Sequence, residues 1–209
     1  MDDPSGNWPN WSNLSKGATW LTVGIAAICV GVSVLTCGVA APAMMAVAAV
    51  TVGTGALTVI NGAAEVGESF TGYNFVRDTV FNGNQSTYNA YSYTTAAVAE
   101  VGTAICGNWA ANNQPRINAY RNMGNYSVKD KHLSTGTGDW GKFNTNSQAE
   151  LQALGREILK NSPMSSLSTN SSDSFKVIYE FGRVIGSAGE TSARLVFSDI
   201  GKIITFFPQ

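Results

Sequence analysis

The chain has 209 residues, of which 44% are apolar and 13% charged, with a formal net charge of −1. That length admits one domain or two, and so small a net charge supplies no global field to gather a nucleic acid or an acidic membrane. The charges are unevenly placed, however: residues 17–64 carry none, whereas 125–209 carry nine Lys/Arg and eight Asp/Glu.

The opening residues, "MDDPSGNWPNWSNLSK", are polar and rich in turn formers, which predicts a linker over 1–16. They lack the basic start and immediate apolar stretch of a secretory signal. Export is therefore expected to rest on a larger carrier, with Met1 marking a cut in a longer reading frame.

The uncharged segment that follows is about twice the roughly 20 residues a helix needs to cross a hydrocarbon core. Gly38 and Pro42 interrupt it, which predicts a helical hairpin over 18–36 and 42–61. The pairs Ala27/Gly31 and Ala49/Gly53 have the small-xxx-small spacing that lets helices approach closely. Membrane contact through 18–61 and a soluble apolar helix pair both fit this composition. Two further helices are expected around a break at Asn82-Gly83-Asn84, the second over 85–105, with Tyr88, Tyr91 and Tyr93 as packing residues. Cys29, Cys37 and Cys106 form no CxxC pair and read as buried thiols, so neither a metal nor a cofactor is expected. Residues 17–106 thus form an apolar helical region, and the Asn-, Gly- and Pro-rich stretch 107–124 reads as a linker.

Residues 125–209 are long enough for a separate domain with one modest core. A helix is signalled by Asn146 or Ser147 as cap, Glu150 in the first turn, Leu151, Leu154, Ile158 and Leu159 on one face, and Pro163 beyond its end. The period then changes to alternation, and Ser198-Asp199-Ile200-Gly201 predicts a turn between strands at 191–198 and 202–207. Ile203, Ile204, Phe206 and Phe207 load both faces of the last strand, which argues for a central place in the sheet. The expected fold class is α+β: an apolar α-helical hairpin region, then a small domain with an N-terminal helix and a three- or four-stranded antiparallel sheet.

This tail holds the parts of a metal-free ribonuclease, in which the RNA 2′-hydroxyl attacks the adjacent phosphate. The reaction needs a base at the hydroxyl, an acid at the leaving oxygen, and donors or cations on the phosphoryl oxygens. His132, the only histidine, titrates near neutral pH and could serve as base or acid. Lys129 and Lys131 would favour its neutral form if they lie close. Thr191, Ser192, Arg194 and Thr205 fall on neighbouring strands and are candidates for the phosphate, Arg194 and Thr205 on one face if the register allows. The blander alternative is a solvated histidine in a polar loop, with Thr191-Ser192 merely beginning a strand. Glu150 and Glu157 look solvent-facing and make a poor glycosidase pair, and no phosphate-binding G-x-x-x-x-G-K-[ST] occurs.

The order "KDKH", a capped helix, then "GRVIGSAGETSARLVFSDIGKIITFFP" resembles the toxin domains that end bacterial polymorphic toxins and contact-dependent inhibition proteins. It is similar to those with the barnase, EndoU, colicin and RelE-like ribonuclease fold, in which a Lys-His near the domain start meets Thr, Ser or Arg on the closing strands. The ending "DIGKIITFFP" resembles a "DGKIVTAFP"-like ending, with Ile200 intervening between Asp199 and Gly201. Upstream, the Asn/Trp-rich start, "SKGATW" and the uncharged hairpin look like the pretoxin region of Rhs- or LXG-type secreted proteins.

The resemblance implies a metal-independent endoribonuclease toxin, carried within a larger secreted protein to the target-cell cytoplasm. Its partners would be RNA, with tRNA as one candidate, and a cognate immunity protein, and the toxin domain would be monomeric. His132 would be the base or acid, and Lys131 or Lys129 the second proton-transfer group. Lys131, Thr191, Arg194 and Thr205 would attend the phosphate, with Lys129, Ser192 and Arg183 binding substrate. Two competing readings are a membrane-inserting hairpin effector whose tail is a docking module, and a non-enzymatic adaptor.

Overall fold

The computed structural model describes residues 9–171 and 173–209. The architecture is α+β: long apolar helices first, then further helices and a four-stranded antiparallel sheet. The chain divides into two compact units, one from the N-terminal part up to Thr36 together with Pro42–Asn108, the other from Cys37–Ala41 together with Trp109–Gln209.

In the first unit, helix α1 (Trp11–Thr36) begins inside the stretch expected as a linker, because the Asn10 side chain accepts hydrogen bonds from the Ser12 and Asn13 amides and caps it. Residues 1–8 of that expected linker lie outside the described residues. Helix α2 (Pro42–Thr71) returns antiparallel beside α1. Gly17, Gly24 and Gly31, seven residues apart, meet Gly62, Gly55 and Ala48. A Cβ on Gly24 would stand 2.6 Å from the Gly55 carbonyl oxygen, one on Gly17 2.7 Å from that of Gly62, and one on Gly31 2.9 Å from that of Ala48. Backbones this close admit no side chain between them. Ala27 and Gly31 lie in this seam as expected, but Ala49 and Gly53 do not. The seam runs through 48, 55 and 62, leaving both exposed and Gly53 facing open space.

Charge returns in ion pairs: Lys16 with the buried Glu65 at 2.8 Å, and Arg77 with Glu68 and Asp78. A π-helical turn at Val76–Val80 leads to Asn82 and Gly83, both at positive φ, where the chain breaks before helix α3 (Gln85–Met123). Tyr88 is wholly buried and its hydroxyl accepts from Asn74 at 3.2 Å, a packing role, whereas Tyr93 is exposed and edges onto Trp20. Cys37 and Cys106 are buried thiols, but Cys29 is exposed, on the outer side of α1.

Helix α3 does not stop near 105. It runs through Pro115 to Met123, so all but the last residue of the stretch 107–124, expected as a linker, is helical. Tertiary contacts override the weak propensity there: Arg116, Ile117, Ala119 and Met123 are buried, and Asn118 and Asn122 donate to the Ile200 and Gly201 carbonyls. Gly201, at φ 83°, lies so close to Asn118 and Ala119 that a Cβ has no room. The asparagines that suggested a linker dock the last β-turn.

Helix α4 (Gln148–Asn161) is capped by Ser147, whose hydroxyl accepts from the Glu150 amide at 3.3 Å. It buries Leu151, Ile158 and Leu159 in a core shared with Leu195, Phe197 and Phe206 of the sheet. Strands β1 (Ser168–Ser171), β2 (Ser174–Glu180), β3 (Ser192–Ser198) and β4 (Ile203–Pro208) lie in sequential order. β4 is thus an edge strand, contrary to the central place its composition suggested. Ile203 and Phe206 face the core, Ile204 is exposed beside a register shift opposite Val196/Phe197, and the outward Phe207 is covered by the loop that carries His132.

Candidate active site

On β3, Ala193, Leu195 and Phe197 point into the core, so Ser192, Arg194 and Val196 lie on the opposite face. The register sets Arg194 opposite Phe207 and Val196 opposite Thr205, while on the other side Ile178 stands opposite Arg194 and Lys176 opposite Val196. The outer face therefore presents Lys176, Ile178, Arg194, Thr205 and Phe207. Arg194 and Thr205 share it.

His132 closes the 3-10 turn Asp130–His132 and is only 4% exposed, so it is not a solvated loop residue. Its ring stacks on Phe207 with centroids 5.1 Å apart and planes within 15°. Its Nδ1 lies 2.8 Å from the Gly141 carbonyl oxygen. A carbonyl can only accept, so Nδ1 carries the proton and Nε2 keeps a lone pair. Burial pushes the His132 pKa below its ordinary value. The Gly141 hydrogen bond opposes this, and the Lys131 and Lys129 charges push the same way as burial. The resting state is a neutral imidazole of defined tautomer.

The loop from 133 to 141 is built by close approach. A Cβ on Gly136 would stand 2.5 Å from the Asp130 carbonyl oxygen, and Gly141 packs directly on the carbonyl of Pro208 in β4. Gly138, at φ 94°, lies against the indole of Trp140. From the other side Asn146 accepts from the Ser134 hydroxyl at 2.8 Å and from the Thr135 amide at 3.3 Å. The result places His132 inside and Trp140 outside: the indole is 57% exposed, edge-on to His132 at 6.5 Å, with the Lys131 ammonium 3.8 Å from its ring centre.

The Arg194 guanidinium carbon lies 5.9 Å from the Phe207 centroid. One Nη donates to Asn170 at 2.9 Å, and the buried Nε–H has no partner among the described residues. An unpartnered buried donor of this kind is costly to leave unmade, while the Nη end of the same guanidinium donates to Asn170.

The fold thus brings His132, Arg194 and Thr205 to one face around Phe207, with Lys131 beside them on Trp140. Lys129 is exposed at the start of the turn, and Ser192 is on the correct face but gives its hydroxyl hydrogen to the Gln209 carbonyl at 2.6 Å. Two expected residues do not join. Arg183 is paired with Glu157 of α4 at 2.6 Å, because the loop after β2 turns toward the helix side. Thr191 lies just before β3, half-buried, and its carbonyl accepts from the Phe181 amide. Phe207 and Asn170 were not anticipated: the first reads as strand core, and nothing local marks the second. Trp140 was detectable as an aromatic eight residues after the histidine in a glycine-rich loop.

No protein-family model matches the chain, and neither a curated protein nor a solved structure matches it.

Proposed function

We propose that the C-terminal unit is a metal-independent endoribonuclease, acting as the toxin module of a larger secreted protein and restrained in its producer by an immunity protein. The observation that carries this reading is the single ring of Phe207, with the imidazole of His132 on it and the guanidinium of Arg194 beside it. Nε2 of His132 takes the proton of the RNA 2′-hydroxyl as O2′ bonds to phosphorus. The Arg194 guanidinium and the Thr205 hydroxyl donate to the phosphoryl oxygens. The P–O5′ bond breaks, and O5′ leaves with a proton from Lys131. The products are a 2′,3′-cyclic phosphate and a 5′-hydroxyl. Donors aimed at the developing charge supply most of the rate, each typically worth on the order of 100- to 1,000-fold.

Inducing the full chain in bacteria, beside His132→Gln, tests this. Growth arrest with RNA breakdown in the first culture and not in the second is expected, whereas equal arrest with intact RNA in both would reject it.

A second reading concerns the helical unit. Helices α1 and α2 have mean hydropathies of 2.1 and 1.9 over windows that are only 28% and 22% buried, and Ile25, Val32, Val50, Leu57 and Ile60 are exposed. Apolar surface so placed suits contact with lipid. If membrane insertion were the toxic act, the His132→Gln chain would still depolarise cells. If insertion serves only passage, it would not.

A further inference from the structure

Trp140 is the one large apolar side chain of the loop from 133 to 141 that stands in water. Three glycines and the Asn146 carboxamide shape the backbone around it, at the cost of loop entropy. All that construction places a large apolar ring in water beside a buried histidine. If covering His132 were the only requirement, the stack on Phe207 already meets it. The ammonium of Lys131 lies over the indole, which puts a cation and an aromatic surface together at the mouth of the site. Across the sheet face, Ile178 is 54% exposed between Lys176 and Arg194, so cations and apolar surface alternate there as well.

Bases stack on exposed aromatic rings while cations follow the phosphates, and a base can do so only when it is out of a duplex. A-form duplex RNA offers its grooves and backbone, with its bases stacked away, and gives an exposed indole nothing to bind. Resting on the ribonuclease reading above, we propose that the site takes single-stranded RNA, with the nucleobase beside the scissile phosphate stacked on Trp140 and Lys131 held between that ring and the phosphate. Trp140 is then a substrate-binding residue that selects unpaired loops or ends. His132 performs the proton transfer and contributes little affinity.

The test uses the full chain and a short fluorescein-labelled single-stranded oligoribonucleotide bearing 2′-O-methyl groups, which has no nucleophile and cannot be cut. Anisotropy should show binding weakened about tenfold by Trp140→Ala and largely restored by Trp140→Phe. The wild-type chain should also bind the single strand at least about tenfold more tightly than the same sequence in a duplex. Trp140→Ala binding as wild type, or equal affinity for single strand and duplex, overturns the inference. The ribonuclease reading survives either result provided His132→Gln still abolishes cleavage of the unmodified RNA. That reading fails separately if unmodified RNA is cut equally with and without the imidazole.

Discussion

Replacing Arg116 by Met should loosen the C-terminal unit by an amount that its hydrogen bonds allow to be worked out. Arg116 is 4% exposed and has no ion pair with a carboxylate among the described residues. Its Nε donates to the Leu159 carbonyl at 2.5 Å, its Nη atoms to the Val39 and Lys160 carbonyls at 2.9 and 2.8 Å and to the Asn113 side chain at 3.1 Å. Leu159 and Lys160 end α4, where carbonyls lack partners within the helix and carry its negative pole. Val39 lies in the α1–α2 loop. One guanidinium therefore cross-braces three segments. Methionine would leave the buried carbonyls of Leu159 and Val39 and the partly buried one of Lys160 unpaired, each costing about 1 to 3 kcal/mol, while recovering the cost of burying the charge. The lower end of that range, about 3 kcal/mol in all, is expected. Because roughly 1.4 kcal/mol is a factor of ten, amides of β3 and β4 such as Leu195 and Phe206 should exchange with deuterium about 100-fold faster. Arg116→Lys, with one nitrogen for four separated acceptors, should recover only a minor part. Exchange in β3 unchanged by Arg116→Met would refute the bracing argument.

Gly55→Ala should lower the thermal stability of the helical unit, since its Cβ would stand 2.9 Å from both the Ala27 Cβ and the Gly24 carbonyl. Gly53→Ala, in open space two residues away, should raise it by the ordinary helix preference of about 1 kcal/mol. Arg194→Gln should cut RNA cleavage by about 100- to 1,000-fold with an unchanged melting profile, and equal loss of folding would show a structural role instead. Cleavage should rise with pH through an inflection below the ordinary histidine value of about 6.5 and then level off, as expected for a base whose pKa burial lowers. Stability has a matching sign: below about 6.5 the unfolded chain takes up a proton that the folded one resists, so the contribution of His132 is full above that value and declines as pH falls toward the folded pKa. Urea midpoints of wild type and His132→Gln should differ most at neutral pH and converge in acid.

The elements legible in the sequence were those signalled locally. The turn before Pro42, the Ser147 cap with Leu151, Ile158 and Leu159, and the alternation of β2 through β4 each depend on residues within a few positions of one another. What was not legible depended on distant partners. Asn118 and Asn122 look like linker residues until the Ile200–Gly201 turn is seen docked on them. Phe207 looks like the centre of a sheet until a histidine from 75 positions earlier is found to be its cover. Composition cannot say toward which layer the loop after β2 turns, so it does not reveal that Arg183 pairs with Glu157 of α4. His132 and Arg194 were readable as chemical types, but their meeting across one ring was not.

The most direct test is the chemistry of the cut ends. The full chain, incubated with unstructured RNA in the presence of a chelator, should leave 2′,3′-cyclic phosphate and 5′-hydroxyl termini by mass spectrometry, and His132→Gln should leave the RNA whole. Intact RNA with the wild-type chain, or the same termini from the His132→Gln chain, would contradict the imidazole as the base.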